Sequence, residues 1–155
     1  MELEDSLEAL LPQAEPMILL SGYEPQKEER SVDAWVDVSP SSPFYEREMG
    51  GVPGCVALEY MAQTMALCVG MLRRKGGLKP KIGFVLGSRK LAVMVDAFKS
   101  GERYSVCAEC TYQDESFGSF DCTIRDAGGS VVATAQMTAF QPDDDITPEK
   151  LKEFT

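Results

Sequence analysis

Residues 50–72, GGVPGCVALEYMAQTMALCVGML, are almost wholly apolar and contain a single charged residue, Glu59. Pro53 is acceptable in a first helical turn and Gly76-Gly77 is a stop signal, so the stretch predicts one long helix over about 53–75. A helix without a polar face must be hidden from water all round, in a bilayer or in a protein core. A bilayer would have to accept Glu59, Gln63 and Thr64, the glutamate alone costing about 3 kcal/mol. It would also leave the rest of the chain without anything to cover, because that remainder is built of amphipathic strands. The helix is therefore read as a core helix, and no membrane span is expected.

The strand signals lie on both sides of it. Residues 16–24 form a short apolar run, and 31–39 alternate with Val32, Ala34, Val36 and Val38 on one face. After the helix come segments at about 82–95, 102–113, 117–125 and 130–140. Turn signals at Ser100-Gly101, Asp114-Glu115-Ser116 and Asp126–Gly129 separate the last four. Residues 40–54 are dense in Pro, Ser and Gly and predict a long irregular loop of the kind that carries function. Residues 1–12 predict a short N-terminal helix ended by Pro12, and 142–155 a polar C-terminal tail. One long helix among about six strands predicts an α+β fold, a curled antiparallel sheet wrapped around the helix. At 155 residues the chain is expected to be one domain, 1–155.

The chain carries 25 acidic and 15 basic residues and no histidine, a net charge of −10. Nucleic acid is therefore not an expected partner, since it needs a basic footprint. The charges are unevenly placed. From Tyr60 to Val95 there is no acid, and seven bases fall there: Arg73, Arg74, Lys75, Lys79, Lys81, Arg89 and Lys90. Outside that window 25 acids face 8 bases, or −17. Two readings of the window stand. It is a solvated helix end and loop, with cations suited to a helix C-terminus, or it is a docking rim for an anionic partner. The acidic opening MELEDSLEALLP is unlike a signal peptide, and the five cysteines suit free, buried thiols in a reducing compartment. A cytoplasmic protein is expected.

A carboxylate within such a helix must be paired, neutralised or turned into a cavity. Glu59 is thus expected to line a cavity away from bulk solvent, where burial would raise its pKa and make it a proton donor. Gly54, five residues earlier, lies where helix N–H groups lack internal partners and can polarise a carbonyl. Gln63, one turn beyond Glu59, either orients it or caps a cavity. Cys107 and Cys110 have metal-like spacing, but three residues along a strand put them on opposite faces. With no histidine, no metal site is expected. Tyr104, Tyr112, Phe117 and Phe120 are read as core.

The stretch VPGCVALEYMAQTMA resembles the central helix of the hot-dog-fold 3-hydroxyacyl-(acyl carrier protein) dehydratases, M-P-G-V-x-x-x-E-A-M-A-Q, through Pro53, Gly54, Glu59, Met61, Ala62 and Gln63. LLPQAEPMILLSGY is similar to the family's L-L-P-H-x-x-P-M-L-L-L-D opening, and SGE at 100–102 to its P-G-D turn. The similarity runs from residue 7 to about 140. It implies a hot-dog dimer acting on acyl thioesters of fatty-acid or polyene-type synthesis, carried on phosphopantetheine or coenzyme A, with no cofactor of its own. It implies Gly54 as oxyanion donor and Glu59 as the acid that helps expel the 3-hydroxyl as water. The family's histidine base falls at or near Tyr45, where its G-H-F-P-G loop has become FYEREMGG. Glu46 and Glu48 are the other candidates for a base.

General-base assistance contributes about 10²–10⁴ in rate, and a tyrosine with a pKa near 10 is a poor substitute. Dehydration by the chain alone is expected to be weak or absent. Two other readings stand: a hot-dog thioesterase in which Glu59 activates water, and a non-catalytic acyl-binding subunit. The expected assembly is a homodimer, or a heterodimer with a histidine-bearing hot-dog protein, and the expected partners are an acyl carrier protein or acyl-coenzyme A.

Overall fold

The computed structural model describes residues 6–11, 17–25, 28, 30–77, 83–114 and 116–141. The elements are, in order, α1 (Leu7–Leu10), β1 (Gly22–Tyr23), β2 (Ser31–Asp37), β3 (Gly51–Pro53), a 3-10 turn (Gly54–Val56) running into α2 (Ala57–Lys75), β4 (Phe84–Val93), β5 (Ala97–Lys99), β6 (Arg103–Gln113), β7 (Phe117–Arg125) and β8 (Val131–Phe140). Six strands form one antiparallel sheet in the order β1-β2-β6-β7-β8-β4, and β3 pairs with β5 in a separate two-stranded ribbon. The curled sheet wraps α2, the architecture expected from the sequence.

Alternation accounts for the core. Val32, Ala34 and Val36 of β2, Tyr104, Val106, Ala108 and Cys110 of β6, and Phe120, Cys122 and Ile124 of β7 turn inward and are buried. They meet Tyr60, Met61, Met65, Leu67, Cys68 and Met71 of α2. Each large side chain so buried contributes about 1.5–3 kcal/mol. The helix that is long and apolar enough to cross a membrane is mostly buried in this core.

The pattern breaks at Thr111. The register of β6 against β7 shifts between the pairs Cys110–Phe120 and Tyr112–Ser119, so Thr111 is an extra residue. An extra residue reverses the side on which everything beyond it falls. Tyr112 therefore stands on the outer face, 55% exposed, and Phe117 beside it is also exposed. Both were expected in the core; of the four aromatics only Tyr104 and Phe120 lie there. All five thiols are free; Cys68, Cys110 and Cys122 are buried and Cys107 half-buried, but Cys55 is exposed, contrary to the expectation of buried thiols. Burial pushes Cys68 and Cys122 up to about 12, so they remain protonated.

Two departures concern the N-terminal third. The predicted N-terminal helix is a single turn over the described residues, capped by the Ser6 hydroxyl, which accepts from the Ala9 N–H at 3.2 Å. It packs on α2 at Gly70, where a Cβ would lie 2.0 Å from the Leu10 carbonyl oxygen, so glycine is required. The strand predicted over 16–24 shrinks to Gly22–Tyr23. Residues 17–20 instead run as irregular chain over α2, and Gln63 satisfies their backbone. Its Oε1 accepts from Leu19 N–H at 2.6 Å and Leu20 N–H at 3.1 Å, and its Nε2 donates to the Met17 carbonyl at 2.9 Å. The polar tail and the first residues of the predicted N-terminal helix lie outside the described residues.

Gln63 is 4% exposed, so replacing it with leucine strands two buried amide groups. Gln63→Leu is expected to destabilise the fold by about 2–4 kcal/mol, measured as a lower urea midpoint at an unchanged slope. A loss below about 0.5 kcal/mol would mean that the segment finds other partners.

Candidate functional site

The start of α2 is fixed by the small ribbon behind it. The pairs Gly51–Lys99, Val52–Phe98 and Pro53–Ala97 bring the residues just before the helix against β5. Phe98, fully buried, stacks edge-on against Tyr60 at 5.3 Å and Tyr104 at 5.0 Å. The aromatic chain ties the first turn of α2 to the sheet. Tyr104 closes it: its hydroxyl accepts from the Lys99 N–H and donates to the Glu102 carboxylate, both at 3.0 Å.

This clamp changes the role expected of Gly54. Its N–H is engaged, donating to the Asp96 carbonyl at 2.8 Å. A Cβ at Gly54 would sit 2.4 Å from the Val95 carbonyl oxygen, so the residue is glycine because two backbones meet there. In this chain Gly54 is the fulcrum of the helix start and not a free oxyanion donor. Cys55 is exposed, and its N–H has no acceptor among the described residues. Sequence reasoning missed Cys55, because only the pairing of β3 with β5 decides which amide is taken.

Glu59 lies in the first turn of α2, where the helix dipole favours an acid. In the single chain it is exposed, contrary to the expectation of a cavity. The reason is the helix's orientation. The sheet covers most of α2 but leaves one stripe at helical spacing: Cys55 and Glu59 exposed, then Ala62, Ala66, Val69 and Arg73 half-buried. Four of these six side chains are apolar or a thiol apart from Glu59 and Arg73, and Glu59 stands near the head of the stripe.

The other expected site residues are dispersed. Gln63 lies one turn beyond Glu59 on the same side of α2, but its amide is engaged with residues 17–20 as described and bonds no carboxylate among the described residues. Tyr45 is half-buried and packs against the core, with its N–H donating to the Ser42 carbonyl at 3.1 Å. Glu46 and Glu48 are exposed. Phe44, beside Tyr45, is 52% exposed and holds φ at 67°, a left-handed conformation that a bulky residue rarely adopts. Arg73, Arg74 and Lys75 occupy the last turn of α2. They lie 14–16 residues beyond Glu59, roughly 21–24 Å along the axis. Arg89 and Lys90 are exposed on β4, and Lys79 and Lys81 lie outside the described residues. No metal-binding group of His, Cys, Asp or Glu occurs among the described residues.

Beside the ribbon lies an open pocket of about 560 Å³, whose walls include Met49, Val95 and Tyr104 together with the charged Asp96, Lys99, Glu102 and Asp126. Asp96 joins it to the helix start, since its carbonyl holds the Gly54 N–H. The size falls in the range of small-molecule sites.

The geometry thus offers a backbone donor and a carboxylate one turn apart on an uncovered helix face, without a histidine. Among solved structures, the dehydratase heterocomplex ApeI:P from Xenorhabdus doucetiae is similar at 29% identity and a TM-score of 0.87, over 98% of both chains. A hypothetical thioesterase of Streptococcus pneumoniae TIGR4, solved with coenzyme A, matches at 21% identity and a TM-score of 0.61, over 80% of this chain and 88% of that one. The smu.793 protein of Streptococcus mutans UA159, bound to acetyl-coenzyme A, matches at 15% identity and 0.63, over 85% and 95%. The latter two share the hot-dog fold alone. No curated protein matches. The model of the ApeP dehydratase family matches residues 5–152. With nearly its whole length matched, the chain belongs to the ApeP-like dehydratase family.

Proposed function

We propose that this chain is one half of a two-chain dehydratase of 3-hydroxyacyl thioesters, supplying the acid and the carbonyl donor while a different hot-dog chain supplies the base. The observation that carries the reading is the uncovered stripe of α2. A half-exposed apolar stripe calls for a cover, and a covering chain would enclose Glu59 as the sequence led one to expect. A second copy of this chain would complete nothing, since it also lacks histidine. The resemblance to a protein solved as a heterocomplex supports the same reading.

In the proposed reaction the thioester carbonyl accepts from the Cys55 N–H at the helix start. The partner's base removes a proton from carbon 2, and the electron pair of that C–H bond becomes the second bond between carbons 2 and 3. The bond from carbon 3 to its hydroxyl breaks as Glu59 donates a proton, and water leaves. The products are a trans-2-enoyl thioester and water. The acyl group is carried on phosphopantetheine or coenzyme A. The free cysteines fit work in the cytoplasm.

The direct test combines this chain with the companion chain of the Xenorhabdus heterocomplex and follows enoyl formation. The chain alone is expected to be inactive and the pair active. Glu59→Gln should lower kcat of the pair by about 10²–10⁴ while the complex still forms. Full turnover by the chain alone, or a Glu59→Gln pair as fast as the original, would overturn the assignment.

A second expectation concerns delivery of substrate. An acyl carrier protein is anionic and would meet the cations at the end of α2 before the −17 remainder of the surface repels it. Reversing Arg73, Arg74 and Lys75 to glutamate should raise KM several-fold for a carrier-bound substrate and leave the coenzyme A thioester nearly unaffected. Equal effects on both substrates would return these residues to the role of a helix end.

A further inference from the structure

The sheet turns one face to α2 and the other to solvent. β4 is its last strand, and residues 85–91 of that strand are all exposed. On the solvent face one row of side chains runs across four strands, through the register pairs Arg89–Gln136, Gln136–Asp121 and Asp121–Glu109. All four residues are exposed, and among the described residues none of their side chains makes a hydrogen bond or ion pair.

The order of charge along this row is not that of a surface built for solubility, where opposite signs are interspersed and neighbours attract. Here two acids stand directly opposite each other, which destabilises a strand pair. The base stands apart from them, beyond a neutral amide. The row is a dipole, negative over β6 and β7 and positive over β4.

The sheet forms a cleft of about 300 Å³ along this row, walled by Arg89, Asp121, Gln136, Thr138, Ser119 and Thr111. That volume is at the lower end of the range for small-molecule sites. Thr138 and Ser119 belong to the next row, in which Gly87 leaves open space on β4 and Tyr112 stands at the other end on β6. Tyr112 is on this face because of the extra residue at Thr111, and bulges commonly re-aim a side chain in this way. Phe117, two residues before Ser119, stacks on Phe140 at 5.1 Å. Asp114 fixes both exposed rings: it accepts from the Tyr112 hydroxyl at 3.0 Å and from the Phe117 N–H at 2.7 Å. The cleft therefore has a dipolar wall on one side and a fixed aromatic wall on the other.

Spacing selects the ligand. Side chains stand roughly perpendicular to a sheet, and adjacent strands lie about 4.8 Å apart, so the upright Asp121 and Arg89 are about 9.6 Å from each other. An α-amino acid holds its ammonium nitrogen and carboxylate oxygens about 3 Å apart. With a charge-assisted hydrogen bond of about 2.8 Å at each end it spans about 8.5 Å. Tyr112 lies two residues along, about 6.6 Å, within reach of a large apolar side chain. An amine alone would leave Arg89 unmatched, and an acid alone would meet the two carboxylates.

We propose that this cleft binds a free α-amino acid with an apolar side chain, its ammonium on Asp121 and Glu109, its carboxylate on Arg89 and its side chain over Ser119 and Thr138 against Tyr112. Gln136 lies between the two ends and offers its amide to both. The site is on the opposite face of the sheet from α2 and Glu59, and it is independent of the two-chain reading above.

Titration calorimetry of the full chain with L-phenylalanine, at about 50 mM salt where charges are little screened, tests the proposal. Saturable one-to-one binding is expected, with a dissociation constant of about 1 mM or below. Phenethylamine, which lacks the carboxylate, and 3-phenylpropionate, which lacks the ammonium, should each bind about tenfold more weakly or worse. Arg89→Gln and Asp121→Asn should each cost L-phenylalanine a similar factor. Both positions are exposed, and an unchanged urea midpoint checks that the fold is kept. Tyr112→Ala should weaken binding several-fold, and Glu59→Gln should leave it unchanged. The proposal is overturned if L-phenylalanine shows no saturable binding up to about 10 mM, or if Arg89→Gln and Asp121→Asn leave its affinity unaltered. It is equally overturned if phenethylamine binds as tightly, which would reduce the site to an acidic patch.

Discussion

The apolar helix α2 has more surface to hide than one curled sheet can cover. Its buried side chains form the centre of the core, and the sheet grips them from β2, β6 and β7. What the sheet leaves is a stripe from Cys55 to Arg73, exposed at its head and half-buried along the rest. Glu59 sits near its head, the basic turn at its foot, and the clamped helix start beside it. A carboxylate in an apolar helix is tolerable in the free chain because it faces water. It becomes chemically interesting only when a second chain removes that water and lowers the local dielectric.

The start of the helix shows how a small ribbon sets the chemistry of a larger element. β3 and β5 share three residue pairs, yet they decide that Gly54 donates to Asp96 and that the Cys55 N–H is left over. Backbone donors are useful to a reaction when they are held in place before substrate arrives. Here the hold comes from the Tyr60–Phe98–Tyr104 stack, locked by the Tyr104 hydroxyl between Lys99 and Glu102. Gln63 performs a similar service one turn further along, fixing residues 17–20 on the helix. Neither group touches the candidate reacting atoms, and both keep the helix start from shifting.

The two uncovered regions, the α2 stripe and the β4 edge, differ in kind. The stripe is apolar with one acid, whereas the edge is apolar with a cationic centre. A net charge of −10 already opposes self-association.

The helix over 53–75, the inward faces of β2, β6, β7 and β8, and the position of Glu59 were legible in the sequence, because they follow from local periodicity and local stop signals. The missing histidine was legible too, as a matter of composition. Tertiary structure alone decided the rest. Whether Gly54 or Cys55 offers its N–H depends on a strand 45 residues further along the chain, roughly the separation of Val52 from Phe98. Gln63 is withheld from Glu59, although the two share a side of α2, because residues 17–20 needed partners for their amides. Tyr112 left the core because one extra residue at Thr111 reversed its side of the sheet, and nothing in the alternation of Tyr104 to Tyr112 marks that insertion. Glu59 emerged on the open face because helix periodicity fixes which residues share a side, while only packing against the sheet fixes which side is covered.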